Sequence, residues 1–299
     1  MTLVDLNNLY SDDARCRELL KRLRWPMGIE CPRCKSTTIS NISTQKKHEC
    51  AHCEYQFSVL SNTIFHDTHL PLQTWFLVVL LLCEARKGIS ANQIKRTLGI
   101  SYKTAWYLCH RIRAAMAEAE KPMLSGTVEM DETFVGGKST SELRRKSKEV
   151  VIGIRERGGD LRFFHAEDVK SGTLAHYIKE NISTDVDVIV TDEWTGYPKA
   201  MIEAGIHGRK HKTIKHKDKI YVDGEIHTNT AESAFSLLKR GIVGTWHKIS
   251  AKHLQAYLDE MTFRFNRRKS HTLFLDTLRH MVTANPLTFE NLTKNEAAS

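Results

Sequence analysis

The chain has 299 residues, 41% hydrophobic and 26% charged, enough for about two or three domains with real cores. Lys and Arg number 44 against 35 acids, a net charge of +9, which points to a polyanionic partner. The longest apolar run, Trp75 to Cys83, is far short of the roughly 18 residues a membrane span needs. The first residues, Met1 to Asn8, lack a basic start followed by an apolar stretch. We therefore expect no secretory leader, no membrane partner and a cytoplasmic location.

Seven cysteines occur, and four of them form two close pairs, Cys31-Pro-Arg-Cys34 and Cys50-Ala-His-Cys53. Two C-x₂-C turns separated by fifteen residues have the spacing of a tetrahedral zinc site. Disulfides are the alternative, but nothing in the sequence indicates an oxidising compartment. A redox role for one pair would leave the other unexplained. Residues between the pairs suit a hairpin, and Glu54 to Leu60, with Tyr55, Phe57 and Val59 alternating, reads as a last ribbon strand. Cys16, Cys83 and Cys109 read as packing residues. His48 and His52 are possible substitute ligands, although four thiolates already complete the shell.

Next, Leu72 to Glu84 reads as an apolar helix preceded by Pro71. A second helix follows Ser90 and ends at Gly99, and a third starts after Ser101. Ala105, Leu108, Cys109 and Ile112 have core spacing, whereas Tyr102, Lys103, Thr104 and Tyr107 are candidates for an outward face. A short helix, a glycine turn and a longer basic helix describe a helix-turn-helix whose second helix enters the major groove of DNA. Lys103 and Arg111 are the candidate contacts there. An ordinary helical linker is the plainer alternative.

After Pro122 and Gly126 the pattern changes to strands. Thr127 to Val135, Val150 to Arg155 and Leu161 to Ala166 are the first three, the last two joined by the hairpin signal Gly158-Gly-Asp160. A helix over Thr173 to Asn181 precedes a nearly all-apolar, buried fourth strand, Val186 to Thr191. A helix from Tyr197 to Ala204 ends at Gly205. A fifth strand lies within Lys210 to Val222, and Glu232 to Arg240 is helical. The order β-β-β-α-β-α-β-α is that of a ribonuclease-H-like mixed sheet. The fold class is thus α/β (α+β). We expect an N-terminal helix and zinc ribbon over residues 1–60, a helix-turn-helix over 61–122, the catalytic domain over 123–270 and a C-terminal tail over 271–299.

This order suits convergence of Asp131, inside the first strand, Asp192, at the end of the fourth, and Glu232, near a helix start. Hard divalent cations prefer such oxygen ligands, and a pair of them supports in-line attack on a phosphodiester. An acid at a helix start also suits the helix dipole, so Glu232 has a plain alternative. Glu132 and Glu193 should point to the other side of their strands. Lys239, seven residues after Glu232, shares its helical face. The run Arg209 to Lys219 carries six Lys or Arg, and is either a solvated surface or a DNA contact. The Gly137-Lys138-Ser139 segment is not a phosphate loop, because the first glycine of G-x-x-x-x-G-K-[ST] is missing. Trp194 and Trp246 suit base stacking, although packing is the plainer role. His227 and Asn229 are candidates for DNA or the metal shell. His253 to Arg268 reads as an amphipathic covering helix with a basic end.

With these residues in view, the chain resembles bacterial insertion-sequence transposases of the DDE type with an N-terminal zinc ribbon. The resemblance spans roughly residues 15 to 270. It rests on Glu129-Met-Asp-Glu-Thr-Phe-Val-Gly-Gly-Lys138, Thr191-Asp-Glu-Trp-Thr-Gly-Tyr197, His227-Thr-Asn-Thr-Ala-Glu232, Ser236 to His247 and His253 to Arg268. Some relatives carry Asn where this chain has Glu232; the acid fits the active form. The resemblance implies catalytic Asp131, Asp192 and Glu232 holding two Mg²⁺ (or Mn²⁺) ions. It also implies a structural Zn²⁺ on Cys31, Cys34, Cys50 and Cys53. The implied substrate is double-stranded DNA, both transposon ends and target, bound by a homodimer or higher oligomer in the nucleoid. Lys103, Arg111, Lys138, Lys210, Lys212, Lys215, Lys239, Arg240 and Arg267 are the candidate DNA contacts. Two rival functions remain, a DNA-binding regulator without catalysis and a metal-dependent nuclease without strand joining.

Overall fold

A computed structural model describes residues 1–136, 148–214 and 229–294. They form two compact units, Glu118–Arg268 and the segments on either side of it. The first unit begins with α1 (Leu3–Leu9) and α2 (Asp13–Arg24), the latter capped by the Asp12 carboxylate, which accepts from the Arg15 amide at 2.8 Å. An antiparallel ribbon follows, built from β1 (Ile39–Ile42), β2 (Lys47–Cys50) and β3 (Gln56–Phe57) in that order. β3 is shorter than the alternation over Glu54 to Leu60 suggests. Glu54 takes a left-handed φ of 57°, and a turn in which the Ser61 amide donates to the Ser58 carbonyl ends the pairing.

The helices α3 (Leu72–Glu84), α4 (Ala91–Leu98) and α5 (Tyr102–Met116) lie where their sequence signals put them. The Ser90 hydroxyl accepts from the Gln93 amide and the Ser101 hydroxyl from the Thr104 amide, each at 3.1 Å. Gly99 ends α4 with φ 67°, a conformation that costs a side chain but not glycine.

The second unit carries a mixed five-stranded sheet. Its strands are β4 (Thr127–Val135), β5 (Glu149–Glu156), β6 (Leu161–Ala166), β7 (Val188–Thr191) and β8 (His211–Thr213), arranged β6-β5-β4-β7-β8. β4, β5 and β6 pair antiparallel, while β7 and β8 run parallel to β4. This is an α+β architecture consistent with the ribonuclease-H-like order expected from the sequence. Helices α6 (Ser171–Asn181) and α7 (Gly196–Glu203) cover one face, where Val128, Met130, Ile152 and Ile154 meet Leu174, Ile178 and Tyr197. On the other face lie α8 (Asn229–Gly241) and α9 (Ala251–Asn266), where Val151, Leu161 and Phe163 meet Phe235, Leu238, Leu254 and Leu258. Alternate residues of β5 thus feed two cores, which is why the segment reads as continuously apolar.

Two helices, α10 (Leu273–Thr283) and α11 (Phe289–Thr293), close the described chain. The expectation of a tail over 271–299 is corrected here. Phe274, Leu278, Met281 and Val282 are buried, and α10 packs within the first unit on α2, α3 and α5. The physical reason is the spacing of these four apolar residues, which puts them on one side of the helix. Leu278 is fully buried, so Leu278→Ala is expected to destabilise the first unit by about 2–5 kcal/mol. Calorimetric unfolding of the full chain measures this as a drop in that unit's transition, with the other unit's transition unchanged.

Candidate functional site

Among the described residues, two groups of side chains come close enough to hold a metal ion. The first is the cysteine cluster. The Cys31 and Cys53 sulfurs lie 3.6 Å apart, those of Cys34 and Cys50 3.5 Å apart, and all four sit within 4.8 Å of one another. Tetrahedral zinc with bonds of about 2.3 Å requires edges of about 3.8 Å, so the donor set fits structural zinc. Each C-x₂-C turn is built alike. The Lys35 amide donates to the Cys31 carbonyl and the Glu54 amide to the Cys50 carbonyl, both at 2.9 Å, and Lys35 and Glu54 are both left-handed. His48 is not a ligand; it packs between Trp25 and Phe57. Removing zinc with a chelator, or substituting Cys50→Ser, is expected to take the full chain from ~1 zinc to none and to unfold the ribbon. Metal analysis and the fluorescence of Trp25 measure the two effects.

The second group contains Asp131, Glu132 and Asp192. These acids, with Thr133, Glu232, Phe235, Ser236 and Lys239, line an open cavity of about 370 Å³. The cavity arises because β4 pairs with β7 only over Thr127, Val128 and Glu129. Beyond that point the edge of β4 is open and β7 ends, with Asp192 next in the chain. The Glu132 amide donates to Asp131 Oδ1 at 2.8 Å, and the Trp194 amide donates to Asp192 Oδ1 at 3.0 Å. Backbone therefore orients both carboxylates. Glu232, Phe235, Ser236 and Lys239 present one face of α8 to the same space.

Glu132 corrects an expectation. It does alternate away from Asp131, and the Tyr197 hydroxyl on the α7 side donates to its carboxylate at 2.6 Å. Yet at an open strand edge both faces reach the cavity, so its oxygens join the cluster. Glu193 and Glu232 both lie outside the cluster, and Glu232 lines the cavity beside it.

Crowded, half-buried acids resist ionising together. Burial pushes the Asp131 carboxyl up to about 7, and the charges of Glu132, Asp192 and Glu232 add to this, against the stabilising Glu132 amide. Burial also raises Glu132, with Asp192 adding to it against the Tyr197 hydrogen bond. Tyr197, fully buried, is raised well above its ordinary value by burial and by the Glu132 charge. Two ligands of one hard cation at about 2.1–2.5 Å each lie within about 5 Å of one another, so this oxygen cluster fits such an ion.

The raised Asp131 value has a consequence for the metal-free protein. The folded carboxyl keeps its proton up to about pH 7, while the unfolded one loses it near 3.8. Stability should therefore be highest below about pH 4 for this group and be lost as pH rises to about 7. Thermal unfolding with no Mg²⁺ or Mn²⁺ added across that range, compared with Asp131→Asn, should show a shallower slope in the variant, with the part owed to Glu132 remaining.

The basic residues named from sequence divide. Lys239 lines the cavity, and Arg240, Lys212 and Lys103 are exposed. The Lys103 ammonium lies 4.4 Å from the centre of the Phe289 ring. Lys210 donates to the Thr184 carbonyl at 2.8 Å. Lys138, Lys215 and His227 lie outside the described residues, as does the Asn229 side chain. One expectation is corrected. Arg111 is buried, donates to the His66 carbonyl at 2.5 Å and lies over Trp75 and Tyr107. Arg267 is paired with Glu118 and lies over Phe263. The Arg111 guanidinium is thus spent inside the fold, whereas Arg267, just past the end of α9, stays about a quarter exposed (25%) beside Glu118. Arg264, in the same basic end, is buried with Glu260. Trp194 is exposed, and its indole N–H donates to the Val169 carbonyl at 3.1 Å. Trp246 is buried, as a packing role requires.

Comparison with known proteins agrees with this geometry. Residues 123–266 match the ISXO2-like transposase domain, and residues 11–56 match the transposase zinc-ribbon domain. The chain belongs to the insertion-sequence transposases that combine these two modules. It is similar to an uncharacterized protein in transposable element ISH50 of Halobacterium salinarum, 26% identical over 276 residues that cover 85% of this chain and 91% of the relative. No described helix is long and apolar enough to cross a membrane.

Proposed function

We propose that this protein is a DDE-type DNA transposase that cuts at the ends of an insertion sequence and joins the freed ends to target DNA. The observation that carries the reading is that Asp131, Asp192 and Glu232, distant in sequence, line one open cavity together with Lys239. Asp131 and Asp192 would be shared ligands of two Mg²⁺ or Mn²⁺ ions, with Glu232 on one of them. Bound there, such ions neutralise a scissile phosphate and lower the pKa of the attacking oxygen. Water attacks the phosphodiester at the transposon end, and a 3′-hydroxyl leaves. That hydroxyl then attacks a target phosphodiester, forming one P–O bond as another breaks. No protein nucleophile is required. The exposed Lys239 ammonium, on the face of α8 that carries Glu232, suits a backbone phosphate.

DNA location falls to the ribbon and to α4–α5, read as a helix-turn-helix. The capped start of α5 with Lys103 is the groove-reading end, and Lys138, Lys210, Lys212, Lys215, Lys239 and Arg240 are the proposed backbone contacts. Joining two ends calls for at least a dimer on terminal inverted repeats, in the cytoplasm where the nucleoid lies. The test uses DNA carrying the inverted repeats that flank the gene, with Mg²⁺ or Mn²⁺. Wild type should release 3′-hydroxyl ends and join them to target, and Asp131→Ala should lose both steps by at least ~10³-fold. Cutting without joining would make the protein a nuclease. Equal inactivity of both proteins would leave a DNA-binding regulator.

A further inference from the structure

The chemistry above makes no use of Glu129, the most deeply buried acid near the cavity. We infer that Glu129 is the positioning residue that holds Glu232 opposite Asp131, an inference that rests on the reading of these carboxylates as cation ligands. Glu129 is fully buried on β4, two residues before Asp131 and on the same face of the strand. One of its oxygens accepts three hydrogen bonds from the start of α8. They come from the Thr230 amide at 3.0 Å, the Thr230 hydroxyl at 2.6 Å and the Ala231 amide at 2.9 Å. The other oxygen accepts from Arg157 Nε at 2.7 Å.

Arg155 lies directly across from Glu129 in the β4–β5 register. Its guanidinium donates to the Thr230 carbonyl at 2.6 Å and reaches the Ser233 hydroxyl at 3.4 Å. Residue 230 is thus gripped on both sides, its N–H by the acid and its C=O by the base. Amides at a helix start have no partner within the helix, and their dipoles favour an anion. A buried carboxylate is costly unless several donors satisfy it, and here four do.

The geometry works as a ruler. Two residues beyond Glu129 along the strand stands Asp131; two residues beyond Thr230 along the helix stands Glu232. Gly153, paired with Asp131, lets the helix sit close. A Cβ at that glycine would lie 2.6 Å from the Phe235 ring of α8. Without the Glu129 grip, α8 keeps its apolar contacts and the Arg155 bonds but loses the three bonds that hold its first amides and the Thr230 hydroxyl.

The test is Mn²⁺ titration of the full chain by calorimetry, in a background with Glu232 and in an E232A background. E129A should weaken Mn²⁺ binding at least ~10-fold when Glu232 is present and leave it unchanged when Glu232 is absent. Thr230→Val removes only the hydroxyl bond and is expected to weaken binding about 2–5-fold in the first background alone. It serves as the comparison if E129A fails to fold by circular dichroism. If E232A weakens binding but E129A and T230V weaken it equally in both backgrounds, or not at all, the inference is overturned. If neither D131A nor E232A alters Mn²⁺ binding, the cation reading falls and this inference falls with it.

Discussion

The short parallel pairing of β4 with β7 is the constraint from which the cavity follows. Three residue pairs hold the strands together, and then β7 stops while β4 continues for six more residues. Parallel strands bring their carboxyl ends to the same edge of a sheet, and ligands bind where strand order turns about a central strand. Asp131 and Asp192 meet at that edge because one lies just past the pairing and the other just past the strand. A longer β7 would cover the edge of β4 and bury Asp131 without access to solvent.

Gathering acids at this edge works against stability, and the surrounding structure shows how the cost is borne. One face of the sheet is packed against α6 and α7, the other against α8 and α9, so the strands cannot part to relieve repulsion. Backbone amides fix one oxygen each of Asp131 and Asp192, and Tyr197 fixes Glu132. A site so held is prepared for positive charge, and its preference for protonation when empty follows from the same crowding. The ribbon shows the complementary arrangement. Four cysteines there are brought together by two equivalent turns, and the surrounding aromatic packing of Trp25, His48, Tyr55 and Phe57 is too small a core to stand without a cross-link.

Sequence pattern was informative wherever the cause of a structure is local. The caps Ser90 and Ser101, the left-handed Gly99, the Gly158 hairpin and the twin C-x₂-C turns each depend on a few adjacent residues, and each lies as read. The order of strands and helices in the second unit was legible for the same reason, and the transposase resemblance followed from its motifs. What misled were residues whose fate depends on distant partners. Arg111 sits on a helix that reads as basic, yet the His66 carbonyl, remote in sequence, claims its guanidinium. The amphipathic pattern of α10 was in the sequence, but the identity of its partners α2, α3 and α5 was not.

The acids divide along the same line. The types of Asp131, Asp192 and Glu232 and their places inside a strand, at a strand end and near a helix start were visible in the chain alone, because periodicity and capping are properties of short segments. The membership of Glu132 in the cluster and the grip of Glu129 on Thr230 were not, because each depends on where one element ends against another. Alternation says which face a side chain takes. Only the packed sheet decides whether that face, at that position, is a core, a helix start or the rim of a cavity.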